Sequence, residues 1–166
     1  MRQSALAACL GLSLALVMLA SRAGLAQQAG GIQLTVTAWE QQVVTNEAGQ
    51  TEVRRLPATS IVPADTVIFV IEYANTGADP ADDVLITNPV PEHMQYVEDS
   101  ARGENTVISF SVDGGRTYLP RAALVVAAGD STRPATQEDI THINWALTVP
   151  VAPGADGTVE YRAILE

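Results

Sequence analysis

Cysteine and lysine are almost missing from this sequence. The only cysteine is Cys9, near the amino terminus, and the chain has no lysine, so all 9 basic residues are arginines. After Cys9 the chain can form no intramolecular disulfide, no thiolate nucleophile and no thiolate metal site. The fold must therefore be stabilised by the packing of side chains.

Positive charge is also scarce. The chain carries 9 basic and 19 acidic residues, for a formal net charge of −10. Such a field repels nucleic acid and anionic lipid headgroups, so we expect neither as a partner. An acidic, solvated surface that keeps the protein soluble explains the excess, and a calcium-binding surface is the alternative.

The sequence also lacks the residue spacings that mark common catalytic sites. The two histidines, His93 and His142, do not have the spacing of a zinc pair. No serine lies in a Gly-x-Ser-x-Gly elbow, and no glycine-rich phosphate loop precedes a helix. The sequence predicts a protein without enzymatic activity.

The first 26 residues have the composition of an export leader. Arg2 supplies the positive charge, residues 5–20 are apolar, and Gly24, Leu25 and Ala26 provide the small residues of a cleavage site. The apolar run is shorter than the roughly 20 residues that span a bilayer, so a retained anchor is the less favoured alternative. We expect cleavage before Gln27 and a periplasmic or secreted chain that is not embedded in a membrane.

Residues 66–74 predict the central strand of the fold. They are β-branched or aromatic at nearly every position, too apolar on both faces for a strand on a wet surface. Turn-forming residues fill positions 75–83, and residues 84–87 resume an extended pattern. These two strands form the pair on which the rest of the chain is expected to pack.

Other segments alternate apolar and polar residues at period two, as strands with one buried face do. Residues 32–38 predict such a strand, and residues 51–56 predict a charged edge strand after a hairpin loop at 46–50. Further strands are predicted at residues 106–112, 140–147 and 158–165, with Trp145 and Tyr161 in the core.

Together these patterns predict an all-β fold, a Greek-key β-sandwich of about seven to nine strands. Residues 27–62 are expected to form amino-terminal strands and a hairpin joined to the sandwich. Residues 63–166 are expected to form the sandwich domain itself.

Several short motifs resemble those of a known family. They are a strand ending in Asn75-Thr76-Gly77, a strand ending in Asn88-Pro89-Val90-Pro91, the pair Tyr96-Val97, and a late turn, Val151-Ala152-Pro153-Gly154. This series resembles the conserved-repeat family known as domain of unknown function 11. The resemblance covers most of the chain after the leader.

The resemblance implies an immunoglobulin-like β-sandwich in exported and cell-surface bacterial proteins, often in tandem copies and without enzymatic activity. Asn88 stands where the family usually has aspartate, which weakens a cation-ligand role at that corner. Because only one copy is recognised, a spacer built of tandem copies is not expected here.

Residues 111–118 match the Asp-box pattern of sialidase-like propeller blades, Ser-x-Asp-x-Gly-x-Thr-aromatic. In this pattern the aspartate accepts backbone hydrogen bonds across a turn that glycines make possible. One copy cannot build a propeller. We therefore interpret Asp113, Gly114 and Gly115 as a structural hairpin, with a glycan-contacting tip as the alternative.

Asp79, Asp82 and Asp83 share one loop and are the candidate calcium ligands, because Ca²⁺ takes six to eight oxygen ligands. Their spacing is not that of an EF-hand, and turn formation with solubilising charge explains them equally well. Apart from this possible calcium, no cofactor is expected.

The sequence thus predicts a non-catalytic module of the bacterial cell envelope with a structural or protein-interaction role. Its expected partner is an unidentified envelope or extracellular protein, bound through loops or an open sheet edge. The alternative is a calcium-assisted glycan-binding domain.

Overall fold

The computed structural model describes residues 31–45 and 49–166. The predicted export leader, residues 1–26, lies outside the described residues, and so do positions 46–48 of the first hairpin loop. In the described part of the chain, no helix is long and apolar enough to cross a membrane.

The described residues are almost entirely extended, and the predicted all-β class is confirmed. They form eleven strands and a three-residue 3-10 helix, Arg121–Ala123. The strands are β1 (Ile32–Thr45), β2 (Thr51–Pro57), β3 (Thr66–Asn75), β4 (Leu85–Pro89), β5 (Met94–Tyr96), β6 (Arg102–Gly103), β7 (Thr106–Ser111), β8 (Val125–Ala128), β9 (Ser131–Pro134), β10 (His142–Leu147) and β11 (Asp156–Leu165). The number exceeds the seven to nine expected because β5, β6 and the β8–β9 hairpin are short additions.

Two antiparallel sheets make up the sandwich. The larger has the order β2-β1-β3-β11-β5, with β6 also paired to β11, and the smaller has the order β4-β10-β7. The two late strands lie between strands from earlier in the chain: β10 between β4 and β7, and β11 between β3 and β5. Strand β1 belongs to the same sheet as β3, so the first hairpin is part of the sandwich.

The prediction of a central strand is confirmed. Strand β3 lies between β1 and β11, and its successive residues Val67 and Ile68 are both buried, as expected for a strand covered on both faces. The strand that follows it, β4, does not pair with it but lies in the opposite sheet. The turn-rich loop at 76–84 therefore carries the chain from one sheet to the other.

Aromatic side chains fill the space between the sheets. Trp145 on β10 and Tyr161 on β11 are fully buried, which confirms both as core residues. The ring of Tyr161 lies 5.0 Å from that of Phe69 and 6.1 Å from that of Trp145, measured between centroids. These distances suit favourable aromatic packing and connect the two layers.

The prediction that the alternating residues 32–38 face the core is wrong for β1. Val36 pairs with Ile71 and Leu34 with Tyr73, so both side chains point to the inner face of the sheet. Yet Leu34 is 49% exposed and Val36 is 52% exposed. The smaller sheet is only three strands wide, and it leaves the inner face of β1 uncovered.

Strand β2 ends the larger sheet at one side, as predicted for this charged segment. Arg55 on β2 forms an ion pair with Glu160 on β11 at 3.0 Å. In a flat sheet, three strand spacings of about 4.8 Å would separate these strands. The first hairpin therefore curls over the outer face of the sheet.

Candidate functional site

The outer side of β1 is an open edge, and two hydrogen bonds fix which of its backbone groups point outward. The carbonyl of Gly31 accepts from the amide of Thr76, beside β3, whereas the carbonyl of Ala38 accepts from the amide of Ala58, on the opposite side. Backbone groups in an antiparallel strand alternate between its two sides. The N–H and C=O groups of Ile32, Leu34 and Val36 therefore point away from β3.

Strand β2 does not cover these groups. Its pairing with β1 begins at Trp39, which lies opposite Pro57. Among the described residues, none forms a backbone hydrogen bond with Ile32, Leu34 or Val36 on the outward side. We call residues 32–36 the open edge.

The open edge carries no charge. Leu34 and Val36 present half-exposed apolar side chains on the inner face, and Gln33 and Thr35 present neutral polar ones on the outer face. Proteins usually protect exposed edges with charged residues, prolines or bulges. Strand β2 has that protection in Glu52, Arg54 and Arg55, and the open edge has none of it.

Buried Asn75 fixes the place where the open edge begins. Its Nδ2 donates to the carbonyls of Asp79 and Val151, each at 2.8 Å, and its Oδ1 accepts from the amide of Gly77 at 2.9 Å. Gly31 packs against Gly77 so closely that a Cβ on Gly31 would meet backbone atoms. This network joins the start of β1, the loop after β3 and the turn before β11.

A cleft of about 440 Å³ lies at the same end of the sandwich. Its lining includes Tyr73, Glu104 and Asp156 together with the apolar Leu147 and Val149. Burial, and then the charges of Glu104 and Asp156, raise the pKa of the Tyr73 phenol above its usual value. The cleft is therefore an acidic, partly apolar concavity that disfavours anions.

The predicted calcium ligands Asp79, Asp82 and Asp83 all lie exposed in the loop between β3 and β4. This loop is anchored by a bridge between Ala81 and Val151, and Asp83 adopts a left-handed backbone with φ of 51°. Within residues 31–45 and 49–166, no three His, Cys, Asp or Glu side chains come together as a metal site. The structure thus places the three aspartates in one loop without gathering them around a common point.

Asp113, Gly114 and Gly115 lie in the loop that leaves β7 and returns at Leu119. The Oδ1 atom of Asp113 accepts from the amides of Arg116 and Thr117 at 3.1 and 3.0 Å, and Oδ2 accepts from the Thr117 hydroxyl at 2.6 Å. The hydroxyls of Thr117 and Ser111, followed by these amides, lower the pKa of the Asp113 carboxyl far below its usual value. The carboxylate is the centre that holds this turn together.

Glycine is required at position 115. Its φ of 82° is left-handed, and a Cβ there would approach the Tyr118 hydroxyl and the ring of His142. The loop therefore folds back against the outer face of β10. The ring of His142 thus packs against Gly115 in this loop.

Asn88 contacts the core through its side chain. Its Nδ2 donates to the hydroxyl of Tyr161 and to the carbonyl of Pro89, each at 2.9 Å, and the Tyr161 hydroxyl donates to the same carbonyl. Burial raises the pKa of Tyr161 well above its usual value, so the phenol stays a donor. Asn88 thus has a structural role at the corner after β4.

Sequence reasoning did not find the open edge. The alternation of residues 32–38 was visible, but it predicts which side chains share a face and not whether another sheet covers that face. The one available signal was the contrast between the uncharged residues 32–38 and the charged residues 52–55.

Comparison with known proteins adds no relative to this description: no family model, no curated protein and no solved structure matches the chain.

Proposed function

We propose that this chain is a non-catalytic, exported β-sandwich module of the bacterial cell envelope that binds an extended segment of a partner protein. The segment adds as a further strand along the open edge, residues 32–36. The observation that carries this proposal is the outward row of backbone groups on Ile32, Leu34 and Val36 beside two half-exposed apolar side chains.

Strand addition uses both features of the open edge. Main-chain hydrogen bonds supply sequence-independent affinity, each worth about 0.5–1.5 kcal/mol net, and alternate side chains supply selectivity. A partner residue facing the inner side would contact Leu34 and Val36, whereas its neighbours would face Gln33 and Thr35. The preferred segment therefore alternates apolar and small polar residues.

Charge favours a neutral or basic segment. The chain has a formal net charge of −10, and four of its arginines already pair with acidic neighbours. An acidic segment would be repelled before it could pair, and a basic one would be steered to the surface.

The position of two motifs supports kinship with the conserved-repeat family. Asn75 of the Asn-x-Gly motif donates to the carbonyl of Val151, the first residue of the late Val-Ala-Pro-Gly turn. Motifs that are far apart in sequence thus contact each other directly. An immunoglobulin-like module of this family is expected at the bacterial cell surface, in agreement with the predicted leader.

Amide hydrogen exchange tests the open edge. In a dilute solution of the free protein, the amides of Ile32, Leu34 and Val36 should exchange much faster than those of Gln33 and Thr35, which face β3. A synthetic peptide of alternating valine and threonine, flanked by arginines, should protect the first set at saturation. Lack of protection at all three positions would overturn the proposed binding mode.

Proline substitutions supply a matched control pair. Leu34→Pro removes an amide that faces outward, so the fold should survive while peptide binding is lost. Thr35→Pro removes an amide that faces β3, so it should destabilise the sheet itself. Export is tested separately by amino-terminal sequencing of the protein recovered from the periplasm or medium, which should begin at Gln27.

A further inference from the structure

We infer that a second copy of this chain adds to the open edge, with the two β1 strands antiparallel about a two-fold axis at Leu34. The inference rests on the proposed function, because it names a partner for the same edge. It is argued from the register, the charges and the length of the open edge.

The open edge is complementary to itself. With the axis at Leu34, this residue lies opposite Leu34 of the second copy, and Ile32 lies opposite Val36 of the second copy. All of these residues point their backbone groups outward, so the pairing forms about six inter-strand hydrogen bonds. The two larger sheets then become one continuous sheet.

Side chains also match in this register. On the inner face, Ile32, Leu34 and Val36 of both copies form one apolar stripe, which removes the two exposed large apolar side chains of β1, Leu34 and Val36, from water. On the outer face, Gln33 lies opposite Thr35 of the second copy. No charged residue faces another charged residue across the axis.

Repulsion between the acidic chains does not prevent this contact. Glu72 on β3 pairs with Thr35, so it lies one strand away from the open edge. The two copies of Glu72 would be three strand spacings apart, about 14 Å. This separation exceeds the Debye length of about 8 Å at physiological ionic strength.

The first hairpin leaves room for the second copy. Strand β2 ends at Pro57, opposite Trp39, and the carbonyl of Ala38 is occupied by the amide of Ala58. A strand centred on Leu34 pairs with residues 32–36 and stops short of this point. The open edge thus matches residues 32–36 of the second copy, the segment of its β1 that would pair.

The dimer is expected to be weak. A contact limited to this edge and stripe buries less than the roughly 800 Å² per partner of a standard stable interface. We therefore expect a concentration-dependent equilibrium between monomer and dimer, with a dissociation constant in the micromolar range or above. Sedimentation equilibrium over a range of concentrations measures it.

Cysteine substitutions test the register. Leu34→Cys places two cysteines opposite each other about 5.5 Å apart between Cα atoms, within the range of a disulfide. Val36→Cys places its two copies about 13 Å apart along the strand, beyond that range. Mild oxidation should therefore produce a covalent dimer of the Leu34→Cys protein and little or none of the Val36→Cys protein, both made in a Cys9→Ser background.

A charge substitution tests the interface without oxidation. Leu34→Lys would place two ammonium groups side by side at the axis and should abolish the dimer, whereas Leu85→Lys, at an exposed apolar residue of the other sheet, should not. Circular dichroism melts of both variants verify folding. A protein that stays monomeric at millimolar concentration, or a dimer that Leu34→Lys leaves intact, would overturn the inference.

The two proposals fail in different ways. If the chain is monomeric but the valine–threonine peptide protects the open-edge amides, the edge binds other proteins and the second copy is the wrong partner. If neither the peptide nor a second copy protects these amides, both proposals are wrong.

Discussion

The Nδ2 atom of Asn75 donates to the carbonyl of Val151 at 2.8 Å, across 76 positions of sequence. Asn75 is 1% exposed, and the same nitrogen also donates to the carbonyl of Asp79. One side chain thus ties the loop after β3 to the turn before β11. The same loop contacts Gly31, immediately before the open edge.

Replacement of Asn75 should be among the costly polar substitutions in this chain. Asn75→Ala removes the donor of the Asp79 carbonyl and the acceptor of the Gly77 amide, while the Val151 carbonyl keeps the amide of Ala81, and each polar group left unpaired costs about 1–3 kcal/mol. We expect a loss of about 3 kcal/mol in the free energy of unfolding, measured by urea denaturation. Thr76→Val is the control, because it removes only the exposed hydroxyl bond to the Gly31 carbonyl and should cost less than about 1 kcal/mol.

The Asp113 hairpin should make stability depend on pH. Its hydrogen bonds lower the pKa of Asp113 in the folded state, so they stabilise the fold when the carboxyl is ionised. This contribution is complete above the unfolded pKa of about 4 and is lost as the pH falls toward the folded value. The difference in melting temperature between wild type and Asp113→Asn should therefore be larger at pH 7 than at pH 2.

The exposed Asp130 provides the control for this measurement. Asp130→Asn removes the same charge from another loop and should leave the pH profile close to that of the wild type. Equal profiles for the two variants would contradict a stabilising role for the Asp113 carboxylate.

Asn88→Asp would install the residue that the resembled family usually carries. The Tyr161 hydroxyl has one proton, and it already donates to the Pro89 carbonyl. A carboxylate at position 88 has no proton to donate to the Tyr161 hydroxyl or to the Pro89 carbonyl. The single Tyr161 proton can serve either the carboxylate or the Pro89 carbonyl, so one of these two acceptors is left unpaired. We expect a loss of about 1–3 kcal/mol in unfolding free energy. Asn88→Asp in a Tyr161→Phe background tests the cause, since the tyrosine-dependent part of the loss should disappear.

Gly157 and Tyr73 should show strong energetic coupling. The two residues pair across β11 and β3, and a Cβ on Gly157 would meet the Tyr73 ring. Gly157→Ala should cost about 1–3 kcal/mol by overpacking, whereas the same change in a Tyr73→Ala background should cost much less. A double-mutant cycle measures the coupling, and additive effects would show that the ring is free to move aside.

Much of the fold could be predicted because its strands carry their own signals. Residues 66–74 are apolar on both faces and form the central strand β3, and the alternation at 140–147 correctly places Ile143 and Trp145 in the core. These signals depend only on neighbours in sequence. The signal is weakest in residues 120–137, where only Leu124, Val125 and Val126 suggest a strand, although Leu124 and Ala135 from this segment complete the core.

The assignment of strands to sheets could not be predicted from such local signals. Nothing local indicates that β4 leaves β3 for the opposite sheet, or that the inner face of β1 extends beyond the three strands that could cover it. Exposure of Leu34 and Val36 follows from the widths of the two sheets, which long-range pairing determines. The open edge therefore cannot be predicted from residues 32–38 alone.

The placement of the two late strands between earlier ones has a consequence for biosynthesis. While a growing chain still lacks β10 and β11, the larger sheet is limited to β2, β1 and β3, and strands β4 and β7 of the smaller sheet have no neighbour to pair with. A product of premature termination would thus lack the smaller sheet and leave the inner face of β3 open to proteases.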